Sequence, residues 1–126
     1  MKNIKDQVYA ALAEKFENVT DSYPTDWATL PAVQYVEEEN KDYEHTEKED
    51  KSYVRYRIEI WDRKSTSDAA LLVDQAIGSA VDEYGIQTGL GLIRTGCSDS
   101  NEPTIKHKIM RYEAIIDMDS DAVYWK

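Results

Sequence analysis

The chain has 126 residues, of which 41% are hydrophobic and 32% charged, and its 25 acidic residues outnumber 15 basic ones to leave a formal net charge of −10. This length suits one domain with one modest core. No apolar run approaches the ~20 residues of a membrane span, and the acidic excess argues against gripping a nucleic-acid backbone, which requires Lys and Arg to release counterions.

The single cysteine, Cys97, excludes an internal disulfide and fits a reducing compartment. Nine tyrosines and three tryptophans stand against one phenylalanine. Tyr and Trp combine an apolar body with a polar handle, which suits interfaces, although Tyr also favours strands.

The opening "MKNIKDQVYA" has no apolar signal core and reads as the start of a helix. Ile4, Val8, Ala11, Leu12, Phe16 and Val19 recur at helical spacing, so the pattern predicts a helix over residues 3–19 with Asn3 as its cap. "TDSYPTDWATLP" follows as a loop, punctuated by prolines and carrying Trp27 and Leu30 outside any period. "AVQYVEEE" reads as a strand, with Val33, Tyr35 and Glu37 on one face.

The stretch from Glu37 to Asp50, "EEENKDYEHTEKED", then carries six of the ten net negative charges. Its acids are Glu37, Glu38, Glu39, Asp42, Glu44, Glu47, Glu49 and Asp50, opposed by Lys41 and Lys48. Dense carboxylates repel, and few apolar groups offset the cost of ordering them. The stretch is therefore expected to contain a long hairpin loop that works by position, with Tyr43 as a small anchor.

"SYVRYRIEIW" alternates cleanly: Val54, Tyr56, Ile58 and Ile60 on one face, Tyr53, Arg55, Arg57 and Glu59 on the other. "DRKSTSDAALLVDQAIGSAVDEYG" predicts a second helix, because Ala69, Leu72, Val73, Ala76, Ile77, Ala80, Val81 and Tyr84 keep the helical period. Ser65 or Ser67 would cap it and Gly85 would close it; Gly78 within it points to close packing on another backbone. "IQTGLGLIRTG" reads as a third strand, "CSDSNEP" as a loop, and "TIKHKIMRYEAIIDM" as a long fourth strand with Met110, Tyr112, Ala114, Ile116 and Met118 facing one way. "AVYWK" closes the chain with Val123, Tyr124 and Trp125, too apolar to hang free and able to add a short strand.

The resulting order is α-β-β-α-β-β. The economical packing is an α+β domain spanning residues 1–126, a mostly antiparallel sheet of four or five strands with two helices on one face.

Catalytic constellations are sparse. His45 lies in the acidic stretch and His107 on a strand. A Cys97–His107 pair across a hairpin has no third group to orient it. The acidic stretch lacks the Asp-x-Asp-x-Asp-Gly spacing of a calcium loop, and no cysteine–histidine zinc spacing occurs. "GLGLIRTG" offers Gly89 and Gly91, but Arg94 stands where a dinucleotide fingerprint needs its third glycine. "IEIWDRK" places Asp62-x-Lys64 at a strand end, the arrangement of metal-dependent nucleases, with Asp50 or Glu59 as a further ligand. A charged trio between strand and helix is more often a solvated turn. A DNA-mimic role would require carboxylates on a rigid face, which a loop does not supply.

The helix with "VYAAL", then "SYP", "LPAVQY", "YVRYRIEIW", a helix and "HKIMRYEAIID" resemble, in pattern and order over nearly the whole chain, the small tail-completion proteins of long-tailed bacteriophages and prophages. These are also called tail terminators, head–tail joining proteins or minor capsid proteins. The acidic insertion at 37–50 and the "YWK" end have no counterpart in that likeness.

The resemblance implies a non-enzymatic virion protein without cofactor. It would assemble in the bacterial host cytoplasm as a homo-oligomeric, typically hexameric ring at the neck. The ring would end tail-tube polymerisation and meet the head connector, with DNA passing through unbound and no membrane involved. Trp27, Leu30, Tyr43, Tyr124 and Trp125 are the expected interface residues, and the acidic loop would face the channel or an adjoining ring.

Overall fold

The computed structural model describes residues 4–42, 51–79, 81–101, 104–117 and 123–124. The elements in chain order are α1 (Lys5–Ala13), β1 (Asn18–Thr20), β2 (Ala32–Asp42), β3 (Lys51–Asp62), α2 (Ser67–Ile77), β4 (Ile93–Asn101), β5 (Lys106–Asp117) and β6 (Val123–Tyr124). The α+β class and the two helices are as expected. The sheet is not the expected one. It is mixed, with strand order β1-β2-β3-β5-β4, and β6 pairs with β5.

The parallel element arises where the first helix stops early. Lys15 and Phe16 both direct their N–H to the Leu12 carbonyl, at 3.0 Å each, and close the helix there. Asn18, Val19 and Thr20 then pair in parallel with Ala32, Val33 and Gln34. Asn18 secures the turn by donating to the carbonyls of Asp26 and Thr29, at 2.8 and 3.0 Å. β-Branched Val19 and Thr20 lose little by leaving a helix and gain a neighbouring strand. The element order is therefore α-β-β-β-α-β-β-β instead of α-β-β-α-β-β.

β3 and β5 form the centre of the sheet and pair from Lys51↔Asp117 to Asp62↔Lys106. Their alternation behaves as the sequence requires. Val54, Tyr56, Ile58 and Ile60 of β3 and Met110, Tyr112, Ala114 and Ile116 of β5 are fully buried. Ile4, Val8 and Leu12 at α1, and Ala69, Val73, Ala76 and Ile77 of α2, join them in one core, so both helices lie on this face.

Tyr56 and Tyr112 are cross-strand partners at the middle of that core. Each buried hydroxyl needs an acceptor. Tyr56 donates to Glu37 Oε1 at 2.8 Å, and Tyr112 donates to Asp74 Oδ1. Asp74 also holds Arg94 of β4 at 3.0 Å, which ties α2 to both β5 and β4.

The second helix is shorter than its periodicity predicts. It ends at Ile77, and Gly78 is extended. The segment before β4 folds back onto the helix end: Leu92 N–H reaches the Ile77 carbonyl and Gly91 N–H the Gly78 carbonyl, both at 3.0 Å. Gly89 makes the approach possible, since a Cβ there would lie 2.6 Å from Gly78 O and 2.9 Å from Gln75 O. The close packing read from Gly78 thus involves Gly89 and Gly91. Val81 and Tyr84 leave the helical face and are exposed, and Gly85 (φ 78°) serves a turn in which Asp82 Oδ1 accepts the N–H groups of Tyr84 and Ile86, both at 2.9 Å. Residues expected as the "CSDSNEP" loop instead continue β4 to Asn101, paired with β5.

The chain end adds the anticipated short strand: Val123 and Tyr124 pair with Ile116 and Ile115. Because β3 occupies one side of β5, β6 takes the same side as β4, beyond its start at Ile93. Among the described residues no helix is long and apolar enough to cross a membrane.

Gly89→Ala forces a Cβ against backbone carbonyls and is expected to cost about 1–3 kcal/mol in a urea titration. Gly96→Ala, with nothing within 4 Å of the added Cβ, is expected to be neutral or to stabilise by about 0.5 kcal/mol. Burial, followed by the bonds to Glu37 and Asp74, pushes the Tyr56 and Tyr112 hydroxyls far above the ordinary value of 10.0. The folded state keeps these protons while the unfolded state releases them. The stabilisation is therefore complete below pH 10 and is lost as pH climbs towards the folded values. Tyr112→Phe should flatten this alkaline decline; an unaltered slope would contradict the assignment.

Candidate interaction face of the sheet

The face of the sheet opposite the helices carries Tyr53, Arg55, Arg57, Glu59 and Trp61 from β3 and His107, Ile109, Arg111, Glu113 and Ile115 from β5. Among the described residues no helix covers it. Arg57 and Arg111 are direct cross-strand partners, an arrangement that repels unless an acid intervenes.

Glu38 is that acid. The β2–β3 register shifts between Glu37 and Glu39, and this bulge inserts Glu38 as an extra residue. A bulge re-aims the side chains beside it. Glu37 turns to the core side and accepts from Tyr56 and from Asn40 Nδ2, at 2.8 and 3.0 Å. Glu38 turns to the other side and meets Arg57 at 3.1 Å, Arg111 at 3.3 Å and Arg55 at 3.5 Å. Arg55 also lies 3.6 Å from Glu39.

The network continues along the face. Glu59 binds Arg57 Nε at 3.1 Å and His107 Nε2 at 2.9 Å. Tyr53 donates to Glu113 at 2.6 Å, and burial with this bond pushes its hydroxyl up to about 12.

One end of the face is aromatic. His107 stacks on Trp61, with centroids 4.5 Å apart and planes 9° apart. Trp27 and Tyr23, from the loop between β1 and β2, pack edge-on against Trp61 at 5.8 and 5.6 Å. The loop is shaped by Asp26, whose carboxylate accepts from Ala28 N–H at 2.9 Å and is held below the usual range chiefly by that bond. Tyr23, Trp27, Trp61, Arg63, Thr104 and Ile105 enclose a notch of about 310 Å³. Trp61 is buried, Trp27 half-buried and Tyr23 64% exposed, so the corner presents an aromatic edge to solvent. A charged strip bounded by aromatic rings is suited to recognition.

The residues singled out from sequence fall as follows. Trp27 is in the aromatic corner, outside the helix-side core, and Leu30 is half-buried in the same loop. Glu37, Glu38 and Glu39 belong to β2, in keeping with the strand read from "AVQYVEEE", and β2 runs on through Asp42, which corrects the assignment of the acidic loop as beginning at Glu37. Arg55 and Arg57 reach their carboxylates across the hairpin, so the start of the acidic stretch is compensated by groups that are distant along the chain. Tyr43, Glu44, His45, Glu47, Glu49, Asp50, Met118 and Trp125 lie outside the described residues. Tyr124 is placed by its backbone in β6.

Cys97 pairs with Met110 and His107 with Ser100, so the two point to opposite faces of the sheet. Asp62 accepts the Lys64 N–H at 3.4 Å within the turn after β3, and Glu59 is engaged by Arg57 and His107. Among the described residues no three His, Cys, Asp or Glu side chains converge as metal ligands.

Glu38→Gln removes the charge shared by three arginines and is expected to cost on the order of 1–3 kcal/mol in chemical denaturation. Glu39→Gln breaks more exposed pairs and should cost about 0–1 kcal/mol. Equal effects would deny Glu38 its special place.

Compared with known proteins, the chain matches no family model and no curated protein.

Proposed function

We propose that this chain is a structural assembly protein of the phage tail-completion type. It forms a homo-oligomeric ring, of six copies in the usual arrangement, at the head-proximal end of a long tail. The ring ends tube polymerisation and joins the tail tube to the head connector, after assembly in the bacterial host cytoplasm. No catalytic step and no cofactor are part of this reading.

The observation that carries it is the presence of two unlike apolar surfaces on opposite sides of the sheet. A ring of identical copies is built from heterologous contacts, in which one patch of a subunit meets a different patch of the next. On one side stands the aromatic corner of Tyr23, Trp27 and Trp61. On the other, a groove of about 740 Å³ between α1 and α2 is lined in part by Ala10, Leu71, Val81 and Leu90. Leu71 and Val81 are 59% and 60% exposed, and Tyr84 and Ile86 are exposed as well. Isolated exposed hydrophobics are ordinary, whereas contiguous ones mark interaction sites. The net charge of −10 also suits a ring through which DNA must slide without adhering.

The test is the mass of the purified chain in solution, followed by complementation of a phage lacking its own copy. A species several times the 14.5 kDa protomer is expected. Trp27→Ala should retain the fold while weakening assembly by about 2 kcal/mol or more, the usual cost of truncating a buried interface tryptophan. A strictly monomeric chain, together with normal tails in its absence, would overturn the proposal.

A further inference from the structure

The sheet ends in two edges of different character. On the β2 side, β1 covers Ala32, Val33 and Gln34, and the bulge between Glu37 and Glu39 then breaks the regular ladder. Bulges and charges are the usual means by which an edge refuses another strand. Two such edges would also bring two sets of Glu37, Glu38 and Glu39 together, which repel.

β4 ends the sheet on the other side. Its nine residues, Ile93–Asn101, include neither proline nor lysine. Among the described residues, the backbone groups of β4 that face away from β5 have no hydrogen-bond partner. Arg94, Thr95, Cys97, Ser98, Asp99 and Ser100 are exposed. A row of open N–H and C=O groups is matched by another extended backbone, so the partner that fits is a β-strand.

The side chains say which strand. Arg94, Cys97 and Asp99 pair with Tyr112, Met110 and Lys108 of β5, so all three lie on the helix side of the sheet. The β4 register shifts between Arg94 and Gly96, which makes Thr95 an extra residue. In an antiparallel pair of β4 strands with Cys97 opposite the copy's Cys97, Gly96 meets the copy's Ser98. Counted past the bulge, Arg94 meets the copy's Asp99, and two-fold symmetry repeats this pair. Without the extra residue Arg94 would fall on the other face and meet Ser100.

Both charges have room for a second partner. Arg94 holds Asp74 at 3.0 Å and Asp99 holds Lys108 at 2.8 Å, yet the Arg94 and Asp99 side chains remain 48% and 59% exposed. A guanidinium has five N–H donors and a carboxylate two oxygens. Pairing therefore yields rows of alternating charge, Asp74 and Arg94 of one copy followed by Asp99 and Lys108 of the other. Gly96, with open space around its missing Cβ, adds no bulk at the junction.

We propose that β4 pairs with β4 of a second copy of this chain, antiparallel about a two-fold axis at Cys97, so that two sheets join into one. One strand edge covers little area, and the contact is accordingly weak and reversible. It uses a surface distinct from the aromatic corner and the helix groove, so it does not rest on the ring reading.

The experiment is cross-linking of the full chain by diamide, which takes one hydrogen from each of two thiols as their disulfide forms. Directly opposed strand residues have Cα atoms about 4.5–5.5 Å apart, within reach of a disulfide. The unaltered chain is expected to give a covalent dimer on a non-reducing denaturing gel. Cys97→Ser/Ser100→Cys moves the thiols about 20 Å apart in this register and should cut the yield at least tenfold. Asp99→Asn, which removes both attractions across the junction, should slow cross-linking about fivefold. These are exposed positions, and each variant is expected to keep the fold. No dimer from the unaltered chain, an equal yield from the Ser100→Cys variant, or an unchanged rate with Asp99→Asn would overturn the proposal. Ring contacts join unlike patches, so Trp27→Ala should leave this dimer in place, and loss of either contact is read separately from the other.

Discussion

One extra residue in β2 sets the two faces of this sheet. Without the bulge between Glu37 and Glu39, strict alternation would place Glu38 opposite Arg55 but turn Glu39 to the core side opposite Val54. With it, Glu37 satisfies the buried Tyr56 hydroxyl, while both Glu38 and Glu39 serve the arginines on the opposite face. Three guanidinium groups can then share a small area without mutual repulsion deciding the register. The central strands thereby carry an apolar core on one side and a compensated ionic layer on the other.

A second constraint fixes what the helical side exposes. Gly89 lets the segment before β4 lie directly on the last carbonyls of α2, and the helix cannot continue past Ile77. Val81, Tyr84 and Ile86 are carried out of the core and into solvent, and Val81 lines the groove between the helices. The same fold-back directs Arg94 to Asp74, and Asp74 to Tyr112, so the stop of the helix and the anchoring of the β4 edge are one structural event.

These features divide according to how local their causes are. The faces of β3 and β5 were legible because each strand alternates over many residues, and a register slip would expose a whole apolar set. The overrun of α2 came from Val81 and Tyr84, whose spacing from Ile77 is helical by itself. Only the tertiary approach of Gly89 and Gly91 removes them, and a single glycine does not announce that approach. β1 was hidden because three residues become a strand only when β2 lies beside them. The acids at 37–39 looked uncompensated when charges were counted along the chain. Folding the hairpin brings Arg55 and Arg57 opposite them, a pairing that the alternation of "YVRYRIEIW" already contained. Trp27 stood out as lacking a period, and its contacts lie with Trp61 outside the helix-side core; nothing in the spacing foretold the His107–Trp61 stack.

The sheet face therefore combines a rigid ionic strip with an aromatic corner, and the other side offers an apolar groove. In the ring proposed above, these two surfaces meet between neighbouring copies. Oxidative footprinting of Tyr23 and Trp27 measures this most directly, by comparing the free protomer with intact tails. Strong protection of both rings in tails is the expected result, and equal labelling in the two states would contradict the account.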